Sequence, residues 1–225
     1  MKCAKIREGE HMPFYPVNLQ IAGRPCAVLG GGAVARRKAE SLLAAGAEVT
    51  VFSPKLTPRL AELAGNRQLL HVDRPYRQGD LQGFFIVICA TDNPEVNQSA
   101  AEEARCRGAL VNVVDSPELG DFNVPAQVVQ GDLLLTVSTG GKSPALARRL
   151  RQELSERYGM EYGIYLTLIA KVRQEMKQRL ATAKQREYFW RETIDENVLD
   201  LLRQGRIEEA EAGIRHAIGC IGTES

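Results

Sequence analysis

The sequence predicts an α/β fold, a parallel sheet covered by helices on both faces, followed by a β-hairpin and a helical C-terminal region. Three observations predict it. Short β-rich runs alternate with longer helical patterns up to about residue 115, the strand runs are continuously apolar, and the rhythm then breaks into two β-rich runs separated by Gly131-Asp132 before it turns helical. A chain of 225 residues that is 44% hydrophobic can bury one good core and a second, smaller one.

The elements follow in order. "CAVLG", "EVTVFS", "QLLHV", "FFIVICA" and "ALVNVV" read as strands centred near Cys26, Val49, Leu69, Ile86 and Val111. "AVARRKAESLLAAGA", "LTPRLAELAG" and "NPEVNQSAAEEARCRG" read as the helices between them, with only a short polar connector after "QLLHV". The stretch from Val124 to Ser138 reads as a hairpin. With no partner sheet within its own chain, it is expected to be exchanged in a homodimer. Ser143 is the expected N-cap of the next helix, with Pro144 at its first position and Leu146, Leu150 and Leu154 at i, i+4 spacing. Amphipathic segments run from Glu161 to Arg179 and from Ile194 to Ala217. The expected division is a nucleotide-binding domain over 12–122, a dimerisation segment over 123–157 and a helical domain over 158–225.

Composition excludes several classes. Lys plus Arg number 29 against 28 Asp plus Glu, and a net charge of +1 offers no global attraction to nucleic acid or to a membrane surface. The longest apolar run, Phe84 to Ala90, is far short of the ~20 residues that span a bilayer. "MKCAKIREGEHMPFYPVNL" lacks the apolar region of a signal peptide, so the chain reads as cytoplasmic. Cys3, Cys26, Cys89, Cys106 and Cys220 are scattered without a CxxC and read as reduced thiols, Cys26 and Cys89 within strands. His11, His71 and His216 have no ligand companions at useful spacing, so no protein-built metal site is expected.

Gly30-Gly31-Gly32-Ala33-Val34-Ala35 fits the G-x-G-x-x-A form of the dinucleotide fingerprint and stands between a strand and a helix. Gly30 permits the tight turn, Gly32 lets a pyrophosphate approach the helix N-terminus, and Ala35 lets that helix pack on the sheet. The second strand lacks the usual ribose-binding acid and offers Ser53, Pro54 and Lys55, so a cationic Lys55 leaves NADP open beside NAD. "STGGKSP" carries the GKS of a P-loop but has Thr136 where the motif needs glycine. It reads either as a backbone anion nest followed by Lys142, Arg148, Arg149 and Arg151, or as a capped helix with a solvated basic face. Asp92 and Asp115 each follow a strand's C-terminal end, where open α/β sheets bind ligands. Asp92 also fits a helix cap through "DNP", whereas "DSPELGDF" after Asp115 begins no obvious helix.

Taken together, "VLGGGAVARRKAESLLAAGAEVTVFSP", "ICATDNPEVNQ", "VNVVDSPELGDFNVPA" and "VSTGGKSPALARRLR" resemble the precorrin-2 dehydrogenase and sirohydrochlorin ferrochelatase family of sirohaem biosynthesis. The resemblance covers about residues 14–156, with a loose helical tail beyond. It implies a Rossmann-like domain, a strand-exchanging dimerisation segment, and NAD-dependent oxidation of precorrin-2 to sirohydrochlorin, with insertion of ferrous iron in some members. By position it places cofactor contacts on Gly31, Gly32, Ala33, Val34, Ser53, Pro54, Lys55 and Thr91, and the catalytic aspartate, a general base, on Asp115. Substrate contacts are expected from Asn112, Thr139, Gly140, Gly141, Lys142, Ser143 and Arg148, because precorrin-2 is a large polycarboxylate. Some relatives carry serine where this chain has Thr139. Two rival readings stay open: a bifunctional dehydrogenase and ferrochelatase, and a nucleotide-sensing module with no chemistry, which would require neither Asp115 nor the basic stretch.

Overall fold

The computed structural model describes residues 14–179, 182, 184, 187 and 196–222; Cys3, His11 and Ile194 lie outside the described residues. The chain divides into two compact units, one ending at Val124 and the other beginning at Pro125.

In the first unit, strands β1 (Pro25–Leu29), β2 (Glu48–Phe52), β3 (Leu70–Val72), β4 (Ile86–Cys89) and β5 (Leu110–Val113) form one sheet in the order β3-β2-β1-β4-β5. All four pairings are parallel. Strands buried on both faces need no polar alternation, which is why their sequences are runs of Val, Ile, Ala and Cys. Helices α1 (Ala33–Ala44) and α2 (Pro58–Gly65) cover one face, packing on Cys26, Val28, Val49, Val51, Ile86 and Ile88. Helix α3 (Pro94–Cys106) covers the other, on Ala27, Leu29, Val87, Cys89, Val111 and Val113. Of the buried positions of α1 and α3, Ala35, Ala39, Ala100, Ala101 and Ala104 are small enough for the helix backbones to lie close on the sheet, with Leu42 and Asn97 the larger ones.

Helix α3 starts one residue later than "DNP" implies. Asn93, not Asp92, is its N-cap, and the Asn93 side chain accepts from the Glu95 and Val96 N–H groups. The third strand starts at Leu70, just past the expected centre at Leu69. Between β3 and β4 the chain crosses without a helix, and two carboxylates organise the connector. Asp80 receives Arg74 at 2.6 and 2.9 Å and the Arg77 N–H at 2.8 Å. Glu103 on α3 accepts from the Tyr76 hydroxyl at 2.5 Å and from the Gly79 and Leu81 N–H groups at 2.9 and 3.1 Å. Leu81 is thereby held fully buried under α3.

The second unit begins with the antiparallel hairpin β6 (Ala126–Gln130) and β7 (Leu133–Val137), turned by Gly131-Asp132 in the register Gln130↔Leu133. Gly131 is left-handed at φ 57°, and a Cβ there would stand 3.2 Å from the Gly163 Cα. Helices α4 (Pro144–Arg157) and α5 (Met160–Arg179) follow. The expected Ile194–Ala217 segment is two helices, α6 (Glu196–Arg203) and α7 (Ile207–Gly222). Gly205 at φ 75° breaks it, with the Arg206 N–H bonded to the Leu201 carbonyl and the Gly205 N–H to that of Leu202. Tyr165, Leu168 and Val172 of α5 pack on Leu199, Leu202, Ala210 and Ile214. Helix α4 buries no residue within the chain, and Leu146 is 47% exposed. Among the described residues no helix is long and apolar enough to cross a membrane.

Glu103→Ala removes the acceptor of one hydroxyl and two backbone N–H groups, and the expected loss is about 2 kcal/mol of stability, read as a lower Tm. Burial opposes the Glu103 charge, but the Tyr76, Gly79 and Leu81 hydrogen bonds and the Arg107 charge outweigh it and lower its pKa. The Glu103 contribution is therefore complete above the ordinary glutamate range and fades as pH falls through the depressed folded value. A wild-type melting series below pH 5 should converge on that of the Ala variant.

Candidate active site

The site is built at the C-terminal ends of β1, β2, β4 and β5, across the point between β1 and β4 where the strand order reverses. Each glycine after β1 meets a different demand. Gly30 is at φ 112°, and a Cβ there would collide with the Ala90 carbonyl oxygen and stand 2.9 Å from the Ala90 carbonyl carbon. A Cβ on Gly31 would strike the Lys55 carbonyl oxygen and come within 2.7 Å of Ser53 Oγ. Gly32 has an ordinary backbone, φ −78° and ψ −172°, and nothing lies within 4 Å of where its Cβ would be. The fold therefore requires Gly30 and Gly31, while the space at Gly32 is left for something else.

That space faces the start of α1. Gly32 is the N-cap and contributes no side-chain bond, and the first turn holds no acidic residue. The N–H groups of Ala33, Val34 and Ala35 precede the first intrahelical bond, from the Arg36 N–H to the Gly32 carbonyl at 2.9 Å. The positive end of a helix with free donors and open space fits a pyrophosphate. Thr57 lies beside it, its N–H donating to the Gly31 carbonyl at 2.9 Å and its Oγ1 buried without a partner.

Ser53 closes the β2 end. Its hydroxyl donates to the Lys55 carbonyl at 2.7 Å and it is only 7% exposed, while His71 Nε2 lies 2.8 Å from the Ser53 carbonyl oxygen. Pro54 and Lys55 are exposed. Thr91 follows β4, and its N–H lies against Gly30. The Thr91 hydroxyl donates to Asn97 Oδ1 at 2.7 Å, and the Asn97 amide donates back to the Thr91 carbonyl at 3.0 Å. Asn97, on the first turns of α3 and 7% exposed, escaped sequence reasoning; its signal is the amide four residues after the Asn93 cap. The structure thus brings the whole expected cofactor set, Gly30 to Val34, Ser53 to Lys55 and Thr91, to one sheet edge.

Asp115 follows β5 on the same edge. Its side chain is exposed, and no hydrogen bond or ion pair to it is present among the described residues. The next residues form a single 3₁₀ turn, Pro117–Leu119, capped at Ser116, so Asp115 stands outside it. Asn112 lies inside the sheet's α1 face, 4% exposed, donating to the Phe122 carbonyl at 2.9 Å while its Oδ1 has no partner. The Cys89 thiol, buried near the β4 end, is pushed up to about 12 by that burial and supplies no thiolate. Among the described residues no three His, Cys, Asp or Glu side chains gather as a metal site.

The remaining expected residues belong to the second unit. Gly140 and Gly141 are both left-handed, at φ 62° and 78°. Thr139 Oγ1 donates to the Ser143 carbonyl at 3.1 Å and accepts from the Ser143 N–H at 3.3 Å. Ser143 Oγ in turn accepts from the Leu146 N–H at 3.2 Å, capping α4. Lys142 and Arg148 are exposed without an ion-pair partner among the described residues, whereas Arg149 is paired with Glu153 at 2.9 Å.

The first unit is a dinucleotide-binding α/β domain by its strand order, its glycine turn and its uncapped helix. Three family models match the chain in succession: an NAD(P)-binding model over residues 17–126, the sirohaem biosynthesis protein central region over 130–157, and the sirohaem synthase dimerisation region over 161–218. The siroheme synthase of Methylobacillus flagellatus is 39% identical over 207 residues, 92% of this chain and 44% of that protein. That of Methylococcus capsulatus is 38% identical over 200 residues, 89% of the chain and 42% of the relative. The chain thus spans less than half the length of these relatives. The solved structure of SirC, a precorrin-2 dehydrogenase, is matched over 89% of this chain and all of its own at a TM-score of 0.72 and 28% identity. The chain belongs to the sirohaem synthase and precorrin-2 dehydrogenase family.

Two substitutions separate the roles of the glycines. Gly31→Ala should lower the Tm, because its Cβ meets backbone that cannot move aside. Gly32→Asp should leave the melting curve nearly unchanged and abolish NAD binding in calorimetry, because its charge enters the anion cradle.

Proposed function

We propose that the chain is a cytoplasmic, homodimeric dehydrogenase that oxidises precorrin-2 to sirohydrochlorin with NAD. The carrying observation is an open anion cradle at Gly32 on the same sheet edge as the exposed, partnerless carboxylate of Asp115. The family matches and the whole-chain likeness to SirC support the same reading.

A bound nicotinamide would supply the hydride acceptor. The α1 N–H groups after Gly32 would hold the pyrophosphate, Ser53 to Lys55 would flank the ribose, and Thr91, engaged by Asn97, would stand at the nicotinamide end. Asp115 takes the one proton that the macrocycle gives up in this two-hydrogen oxidation, the other hydrogen leaving with its electron pair as the hydride that a bound nicotinamide would accept. Lys142 and Arg148 take the substrate's carboxylates, with the paired glycines keeping the start of α4 open to anions. NAD is the proposed cofactor, with NADP left open by the exposed Lys55 at the β2 end.

An absorbance assay of protein, NAD and precorrin-2 tests the reading. Sirohydrochlorin formation that requires NAD supports it, and no turnover by folded protein overturns it. Ferrous iron added afterwards reads whether Asp115 also serves metal insertion. Asp115→Asn should lower kcat roughly 10²-fold or more with NAD affinity unchanged. Its Tm should stay within the small range of a surface change, since no partner is lost.

The dimer follows from the apolar surface that the second unit leaves uncovered. Val129 is 56% exposed and Leu134 43% on the hairpin, and Leu146 of α4 is 47% exposed. Light scattering at micromolar concentration should give twice the chain mass, and Leu146→Glu should shift it toward the monomer.

A further inference from the structure

We infer that Asp121, with Arg105, is a positioning pair for the catalytic loop; this rests on the assignment of Asp115 as the base. Strand β5 is the last in the sheet order, so one of its edges has no neighbouring strand. In a parallel strand the N–H and C=O of one residue point to the same side, and those of Val111 point to this open edge. Asp121 covers both. Its backbone N–H donates to the Val111 carbonyl at 2.8 Å, and its Oδ2 accepts from the Val111 N–H at 2.9 Å. One residue therefore closes the loop of Asn112 to Gly120 that carries Asp115.

The closure is braced on two further sides. Arg105 on α3 donates through Nε to Asp121 Oδ1 at 2.9 Å and through Nη2 to the Leu119 carbonyl, tying the end of the 3₁₀ turn to the helix. Asn112 donates to the Phe122 carbonyl at 2.9 Å. Gly120 lets the returning chain lie flat, since a Cβ there would stand 3.3 Å from the Val111 carbonyl oxygen and 3.4 Å from the Val113 nitrogen. Among the described residues the Asp115 side chain has no hydrogen-bond or ion-pair partner, so its direction is set by the backbone of this loop. The Arg105–Asp121 pair is about a third exposed and is a weak stabiliser as an ion pair. Its effect is geometric, because it fixes Asp121 on Val111 and thereby the angle at which Asp115 leaves β5.

A double-mutant cycle on the full chain tests this, with kcat, NAD affinity and Tm measured for Asp121→Ala, Asp115→Asn and the combination. Asp121→Ala should lower kcat about 10- to 100-fold at temperatures well below its Tm, with NAD affinity unchanged. Added to Asp115→Asn it should cost nothing more, since a base that is absent needs no positioning. Asp121→Asn, which keeps an acceptor for the Val111 N–H, should recover most of the loss. A normal kcat in Asp121→Ala, or losses that multiply in the double variant, overturns the inference while Asp115 stays the base. Full turnover by Asp115→Asn alone overturns both assignments and is seen before Asp121 is touched. If Asp121→Ala does not fold, Arg105→Ala runs the same cycle.

Discussion

At the C-terminal end of β1 three stretches of backbone meet with no room between them. Gly30 presses on the Ala90 carbonyl after β4 and Gly31 on the Lys55 carbonyl after β2. Because β1 is the central strand, bonded to β2 on one side and β4 on the other, this contact sets how far the neighbouring loops can rise over the sheet edge. A side chain at either glycine would lift one of those loops away. With both loops held down, the first turn of α1 faces open space and keeps its donors for a ligand. The open space at the start of α1 is thus a by-product of close backbone packing beside it, and Gly32 alone among the three has nothing within 4 Å of where its Cβ would be.

Helix α3 carries a second organising role. Its Glu103 gathers the helix-free crossover between β3 and β4, and its Arg105 braces the loop that returns past β5. Its start, through Asn93 and Asn97, locks the Thr91 turn. One helix therefore sets the three loops around the β4 and β5 ends, each through side chains that satisfy backbone groups left unpaired by the sheet. The Asp115 carboxylate at the end of β5 has no hydrogen bond or ion pair among the described residues, on a loop held at its base by Asp121.

The second unit hides a local property behind a neutral total. With a net charge of +1 the chain has no global field, yet Lys142 and Arg148 stand exposed, without an ion-pair partner among the described residues, around a turn of two left-handed glycines. A near-neutral chain can carry such a local array, and Arg149 beside it is paired with Glu153. The leucine stripe of α4 has helical spacing but is at most half-buried in its own chain, as expected of a surface that a second copy covers.

By itself the sequence determined the parallel sheet, the hairpin at Gly131-Asp132, the Ser143 cap and the glycine fingerprint. Each of these is written in contacts within a few residues: apolar period, turn chemistry, a capping side chain. It also placed Asp115 at a strand end, since a strand and its last residue are local features. What it could not show were partners brought together across long stretches of chain. Nothing near Gly31 announces that it faces Lys55, so the fingerprint, which assigns Gly30 to the turn and Gly32 to the pyrophosphate, does not show that Gly31 is also required by the fold. Nothing in "DNP" separates Asp92 from Asn93 as the cap, because either side chain can make that bond and only the backbone path into α3 chooses. Gly205 sits inside an amphipathic pattern that reads as continuous, and its left-handed turn appears only once α6 and α7 pack on α5. Asp121 reads as one polar residue in a loop, and its hold on Val111 and Arg105 exists only because the edge of β5 is open and α3 lies beneath it. Those choices belong to the tertiary structure, where the need to satisfy buried or edge backbone groups decides among side chains that are locally equivalent.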